Sequence, residues 1–243
     1  MATTLWGVVI AALDPTAQAK WWAHALGWDW WTDFDGDGRV RCADPSVPEL
    51  LFERVHDAKV VQNRIHLDLA SQSETEQQEI VDRLLTHGAT RVDVGQGDVP
   101  WVVLADPEGN ELCVLEPRER YEGAPGLAAI VLHVNEPEPM AEFWAAATGW
   151  VVGNRGDYGV SLHRPGDRPP DLDLVRVPQP KSVKGRLHLD VETTPDSTQA
   201  AEVVRLRALG AVPADVGQAP DAGWTVLADP EGNEFCVVNP QVD

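Results

Sequence analysis

The sequence predicts an α+β chain built from four βαβββ modules paired two by two. Three observations carry this: a duplication covering almost the whole chain, the same helix punctuation in each copy, and short strands that alternate polar and apolar residues. The duplication is plainest at Arg64-Ile65-His66-Leu67-Asp68-Leu69, which recurs 122 residues later as Arg186-Leu187-His188-Leu189-Asp190-Val191. Trp22, Gly27 and Trp28 map onto Trp144, Gly149 and Trp150 at the same offset. After a one-residue insertion, Leu104 to Glu111 maps onto Leu227 to Glu234. Between the copies, Pro117 to Gly126 is charged and then contains Gly and Pro, the composition of an exposed linker. The division is an N-terminal domain over 1–117, a linker over 118–126 and a C-terminal domain over 127–243.

The first module opens with a strand over 5–12. A helix follows with Asp14 as N-cap, Pro15 at its first position and Gly27 just past its end. Strands are then expected over 28–34, 39–43 and 49–55, the first two joined by an Asp-Gly turn. Asp33, Asp35 and Asp37 have the opening spacing of a calcium loop, but the closing Glu is missing, so a hairpin turn is the better reading. The second module repeats the order with a strand over 63–70, a helix from Ser73 to His87 and three further strands. The third and fourth modules begin near Leu127 and Arg186.

With 19 Lys and Arg against 39 Asp and Glu, the net charge of -20 repels phosphate backbones and anionic lipid, which excludes nucleic-acid binding. Three cysteines make no disulfide framework and indicate a reducing, cytoplasmic location. The N-terminus lacks the basic region of a signal peptide, and no run of 18 apolar residues exists to span a membrane.

Tandem βαβββ modules, the Asp-Pro-helix-Leu-Gly-Trp opening and the closing Asp-Pro-Glu-Gly-Asn turn resemble the vicinal oxygen chelate superfamily, in its glyoxalase-like, bleomycin-resistance and dioxygenase branch. The resemblance covers nearly the whole chain and implies two tandem, incompletely closed mixed β-barrels, each a cup made of two modules. It further implies a divalent metal held by four strand positions. In the first copy these fall on Gly7, Glu53, His66 and Cys113; in the second, on Ala129, Val175, His188 and Cys236. Gly and Ala cannot ligate through a side chain, so the usual four-ligand set is absent from both copies. A reduced site of Glu53, His66 and Cys113 in the N-terminal domain is the metal alternative.

The polar phase of the repeated strand places Arg64, His66, Asp68, Arg186, His188 and Asp190 on one face, available to a ligand. His133 shares the inward phase of its strand, suggesting a His133/His188 pair. Trp30, Trp101 and Trp224 lie on strands or their edges and are candidates for stacking a flat ligand. Two functional classes remain. One is a monomeric or homodimeric binding protein that takes a small, partly aromatic molecule into its clefts without the four-ligand metal. The other is a lyase, isomerase or oxygenase using metal at Glu53/His66, or acid-base chemistry by His66, His133 or His188.

Overall fold

The computed structural model describes residues 3–219 and 222–239. The end of the second domain, 240–243, lies outside the described residues. The first module is β1 (Thr3–Ala12), α1 (Pro15–Leu26), β2 (Asp29–Thr32), β3 (Gly38–Arg41) and β4 (Glu49–Arg54). The second is β5 (Ile65–Leu69), α2 (Glu74–Thr86), β6 (Thr90–Arg91), β7 (Val102–Ala105) and β8 (Glu111–Val114). The third is β9 (Leu127–Val134), α3 (Pro137–Thr148), β10 (Val151–Gly156), β11 (Gly159–Arg164) and β12 (Arg168–Arg176). The fourth is β13 (Leu187–Thr193), α4 (Gln199–Ala208), β14 (Val212–Pro213), β15 (Thr225–Ala228) and β16 (Glu234–Val238). The four βαβββ modules of the sequence reading are all present.

Their pairing crosses the repeats. One sheet has the order β14-β15-β16-β13-β1-β4-β3-β2, and the other β10-β11-β12-β9-β5-β8-β7-β6. At the centre of the first, β1 and β13 run antiparallel with Val9 opposite His188. At the centre of the second, β5 and β9 run antiparallel with His66 opposite Val131. Each sheet is an open, mixed, incompletely closed barrel. One cup therefore joins the first and fourth modules, and the other joins the second and third. A cup made within each half, as the repeat suggests, is replaced by cups that each draw on both halves.

The repeated Asp-Pro-Glu-Gly-Asn turn links the two modules within each half. Asp106 accepts from the buried Trp22 indole at 3.1 Å, while Glu108 accepts from the backbone N–H groups of Leu13 and Asp14 at the start of α1. In the second copy Asp229 accepts from the Trp144 indole, and Glu231 accepts from Asn135 and Glu136 ahead of α3. A carboxylate at a helix N-terminus satisfies donors that the helix cannot. Modules of one half thus touch through a turn on a helix, and modules of opposite halves touch through a shared sheet.

Helix ends follow the sequence. Asp14 caps α1 by accepting from Ala17 N–H, and Gly27 closes it at a φ of 72°. One continuous apolar core packs the backs of both sheets against all four helices, with Trp22, Trp144, Phe52 and Phe235 among its largest members. In β5 the apolar set Ile65, Leu67 and Leu69 enters this core, leaving His66 and Asp68 on the cup face. The linker is less exposed than its composition suggests. Tyr121 is buried beside Cys113 and Leu115, and Arg120 donates to Asp171 and Asp167.

Candidate functional site

The cup between the second and third modules encloses about 460 Å³. Its walls are Val94, Trp101, Val103, Leu115, Val131 and Val175, with Tyr158 at an exposed position on the rim. Strand alternation delivers its polar groups. Successive outward positions place His66 and Asp68 from β5, His133 from β9 and Asp173 from β12 in the same cavity. The His66 and His133 rings meet edge to face, centroids 5.2 Å apart, and His66 Nε2 lies 3.3 Å from Asp68 Oδ1. Arg118 reaches over Trp101, 5.9 Å from its ring centre, and donates to Glu116 at 2.7 Å.

These groups are tuned in opposite senses. Burial pushes the Asp173 carboxyl up to about 7, helped by the negative charges of Asp171 and Asp68 and resisted by a hydrogen bond from Ser161. Burial, with the neighbouring His66 and Arg64 charges, pushes His133 down to about 4. Burial and the Asp68 carboxylate drive the Cys113 thiol far above its usual value. Near pH 6, then, the cup holds a neutral acid and a neutral base among apolar walls.

The cup between the first and fourth modules encloses about 350 Å³ and is more polar, lined by Trp6, Glu53, His188, Asp190, Trp224 and Cys236 among others. His188 Nε2 lies 3.3 Å from Asp190 Oδ1 and 3.4 Å from Cys236 Sγ. Burial opposes the charged imidazole, but the Asp190 contact and the Glu53 carboxylate outweigh it and raise the His188 pKa. Trp224 stays 44% exposed at this mouth.

Several predicted residues fall elsewhere than expected. Glu53 and His66 stand in different cups, so the trio Glu53, His66 and Cys113 does not form; Glu53 faces His188 instead. His133 meets His66, not His188. Both corrections follow from the crossed pairing of the modules. Arg64 donates to the His133 and Gln179 carbonyls, and Arg186 to the Ala11 and Asp57 carbonyls, so both fasten one module to another and line neither cup. Trp30, 41% exposed on edge strand β2 under Lys20, also lies outside both cups. Asp33 spends its carboxylate on the Asp35 and Asp37 N–H groups and on Arg39, as a hairpin turn requires. The reading of the repeat missed Asp173, Arg118 and Tyr158. Asp173 was accessible from the alternation Asp171-Leu172-Asp173-Leu174, but the first copy has Leu51 there.

A glyoxalase-like domain matches the sequence twice, over residues 7–115 and 129–238. The chain belongs to the glyoxalase-like family. Among solved structures it is similar to glyoxalase I from Zea mays, with a TM-score of 0.70 at 15% identity over 98% of this chain and 92% of that one. It is also similar to a candidate dioxygenase from Bacillus subtilis, with a TM-score of 0.62 at 16% identity over 97% of this chain and 84% of that one. Likeness at this identity speaks for the fold alone. Among curated proteins none matches this chain in sequence.

With the modules crossed, the metal positions implied for this glyoxalase-like chain regroup. Gly7, Glu53, His188 and Cys236 share one cup; Ala129, Val175, His66 and Cys113 share the other. Each cup also brings an aspartate into the cluster. The ligand atoms of His188, Asp190 and Cys236 lie within 4.8 Å of one another, as do those of His66, Asp68 and Cys113. Asp190 Oδ1 is buried 3.3 Å from His188 Nε2, and imidazole, carboxylate and thiolate together suit a zinc-like ion. The cup between the first and fourth modules also has Glu53 in its lining, a further carboxylate outside the three-residue cluster.

Proposed function

We propose that this glyoxalase-like protein binds a small, partly aromatic molecule in the cup between its second and third modules. The observation that carries this reading is a cavity of about 460 Å³ with mostly apolar walls and a few convergent polar groups, the usual make-up of a small-molecule site. Trp101 offers a ring face for stacking, and His66 and Asp68 offer direction. The test is a thermal-shift screen of planar aromatic compounds, repeated on Val175→Trp, which fills the cup from β12. Hits should be lost in that variant and kept in His188→Ala. Hits that ignore Val175→Trp and vanish in His188→Ala would overturn the assignment.

A second reading, an enzyme, is favoured by the cluster in the other cup. There His188, Asp190 and Cys236 would hold a divalent metal, with Glu53 in the lining of the same cup. A metal held there would supply Lewis acidity toward a carbonyl or a water. The chain's own contribution is to orient the imidazole through Asp190 and to keep the thiol buried beside it. Equilibrium dialysis against zinc separates the readings: one ion per chain, lost in His188→Ala and retained in His66→Ala, supports the metal reading, and no uptake removes it.

A further inference from the structure

In the cup between the second and third modules Asp173, 9% exposed, leaves Oδ1 without a hydrogen-bond partner, while Asp68, 8% exposed, has its Oδ1 3.3 Å from His66 Nε2. A buried acceptor left unmade forfeits its hydration for nothing, and folded proteins seldom keep one without a use. The two carboxylates come from different strands, β5 and β12, and both side chains line the same cavity. Neighbouring carboxylates are spent: Asp171 on Arg120, and Glu111 on Lys59. The cup's one guanidinium, Arg118, is committed to Glu116.

We infer that the molecule held in this cup is a flat ring carrying a cationic nitrogen, an arylalkyl ammonium or amidinium, with Asp68 and Asp173 as its counter-charges. The inference rests on the reading that this cup takes a flat small molecule. An ammonium brings several N–H donors and an amidinium brings a planar fork of them, so either group satisfies acceptors arriving from two strands. The valine walls and Trp101 take the ring, and an indole face also favours a nearby cation. An anionic ligand would meet the carboxylates of Asp68 and Asp173 in a mostly apolar site, where like charges repel strongly. A neutral ligand with acceptors only would leave the Asp173 oxygen as it is.

The test is titration calorimetry of the full chain at pH 8 with three probes of one shape: 1-naphthylmethylammonium, 1-naphthylmethanol and 1-naphthoate. The ammonium should bind at least about tenfold more tightly than the alcohol, a margin of ~1.4 kcal/mol, with naphthoate weakest. Asp173→Asn should shrink that margin by at least about threefold, since the isosteric amide keeps the shape of the cup but carries no charge. Binding sensitive to Val175→Trp but led by naphthoate or the alcohol would overturn the charge assignment and leave the cup reading intact. An ammonium preference that survives Asp173→Asn combined with Asp68→Asn would overturn it as well. If no probe binds, or none responds to Val175→Trp, the cup reading fails and the inference fails with it.

Discussion

Replacing Asp173 by Asn should stabilise the protein in alkaline solution and not in acid. The folded carboxyl titrates at about 7 against 3.8 when solvated, because burial between the cup's apolar walls disfavours its charge. Between those values the folded state holds a proton that the unfolded state has released. Stability therefore falls as pH rises through this window and is flat on either side of it. A gap of roughly three pKa units at ~1.4 kcal/mol each is worth ~4 kcal/mol, against total stabilities of about 5–15 kcal/mol for ordinary domains. Asn carries no such penalty, so relative to wild type it should gain up to ~4 kcal/mol on going from pH 4 to pH 8. Urea denaturation at half-unit pH steps measures this. His133→Gln provides the opposite slope. His133 titrates at about 4 when folded and at 6.5 when free, so its burial costs stability as pH falls through that window and Gln should relieve the cost in acid. A difference between wild type and Asp173→Asn that does not change with pH, or an Asp173 carbon resonance titrating near 4, would refute the reasoning.

Other perturbations test the frame. Asp106→Ala strands the Trp22 indole N–H and the Asn110 amide inside the core and should cost about 3 kcal/mol in the same denaturation assay, with the far-UV spectrum unchanged. Glu108→Ala removes the acceptor at the start of α1 and should cost about 1 kcal/mol. Cys113 and Cys236, whose thiols burial pushes far up, should react with a disulfide reagent at pH 8 only as fast as the protein opens, and at full speed in denaturant. Trp101→Phe should leave stability nearly unchanged while reducing the fluorescence quenching caused by a bound flat ligand.

The elements were legible because their causes are local. Asp14, Pro15 and Gly27 punctuate α1, and the two-residue period of Ile65 to Leu69 settles which side of β5 is dry. The pairing of modules was not legible, because it depends on contacts that two near-identical copies make equally possible. His66 and His188 sit at the same place in their modules, and nothing within either strand says which of Val131 or Val9 lies across from it. The site inherited that ambiguity, so Glu53 and His133 were each matched with the wrong histidine. Arg64 and Arg186 were misread for a related reason: the strand period puts them in phase with His66 and His188, but both precede their strands and turn to carbonyls of the neighbouring module. Asp173 escaped because duplication draws the eye to what both copies keep, and this residue belongs to one.

Crossed pairing also sets an order of completion during synthesis. The cup between the second and third modules closes over contiguous chain, since Ile65 finds Leu132. The other cup joins the first module to the fourth, with Thr3 opposite Thr193, so it has to wait for β13. At ribosomal rates of about 5–20 residues per second that wait lasts on the order of several seconds. Throughout it the inner flank of β1, a ten-residue strand rich in Val, Ile and Ala, stands as an open edge with no partner yet made. A newly made chain stalled before β13 would therefore present one finished pocket and one adhesive strand, and the strand is where a chaperone or a second nascent chain would first take hold.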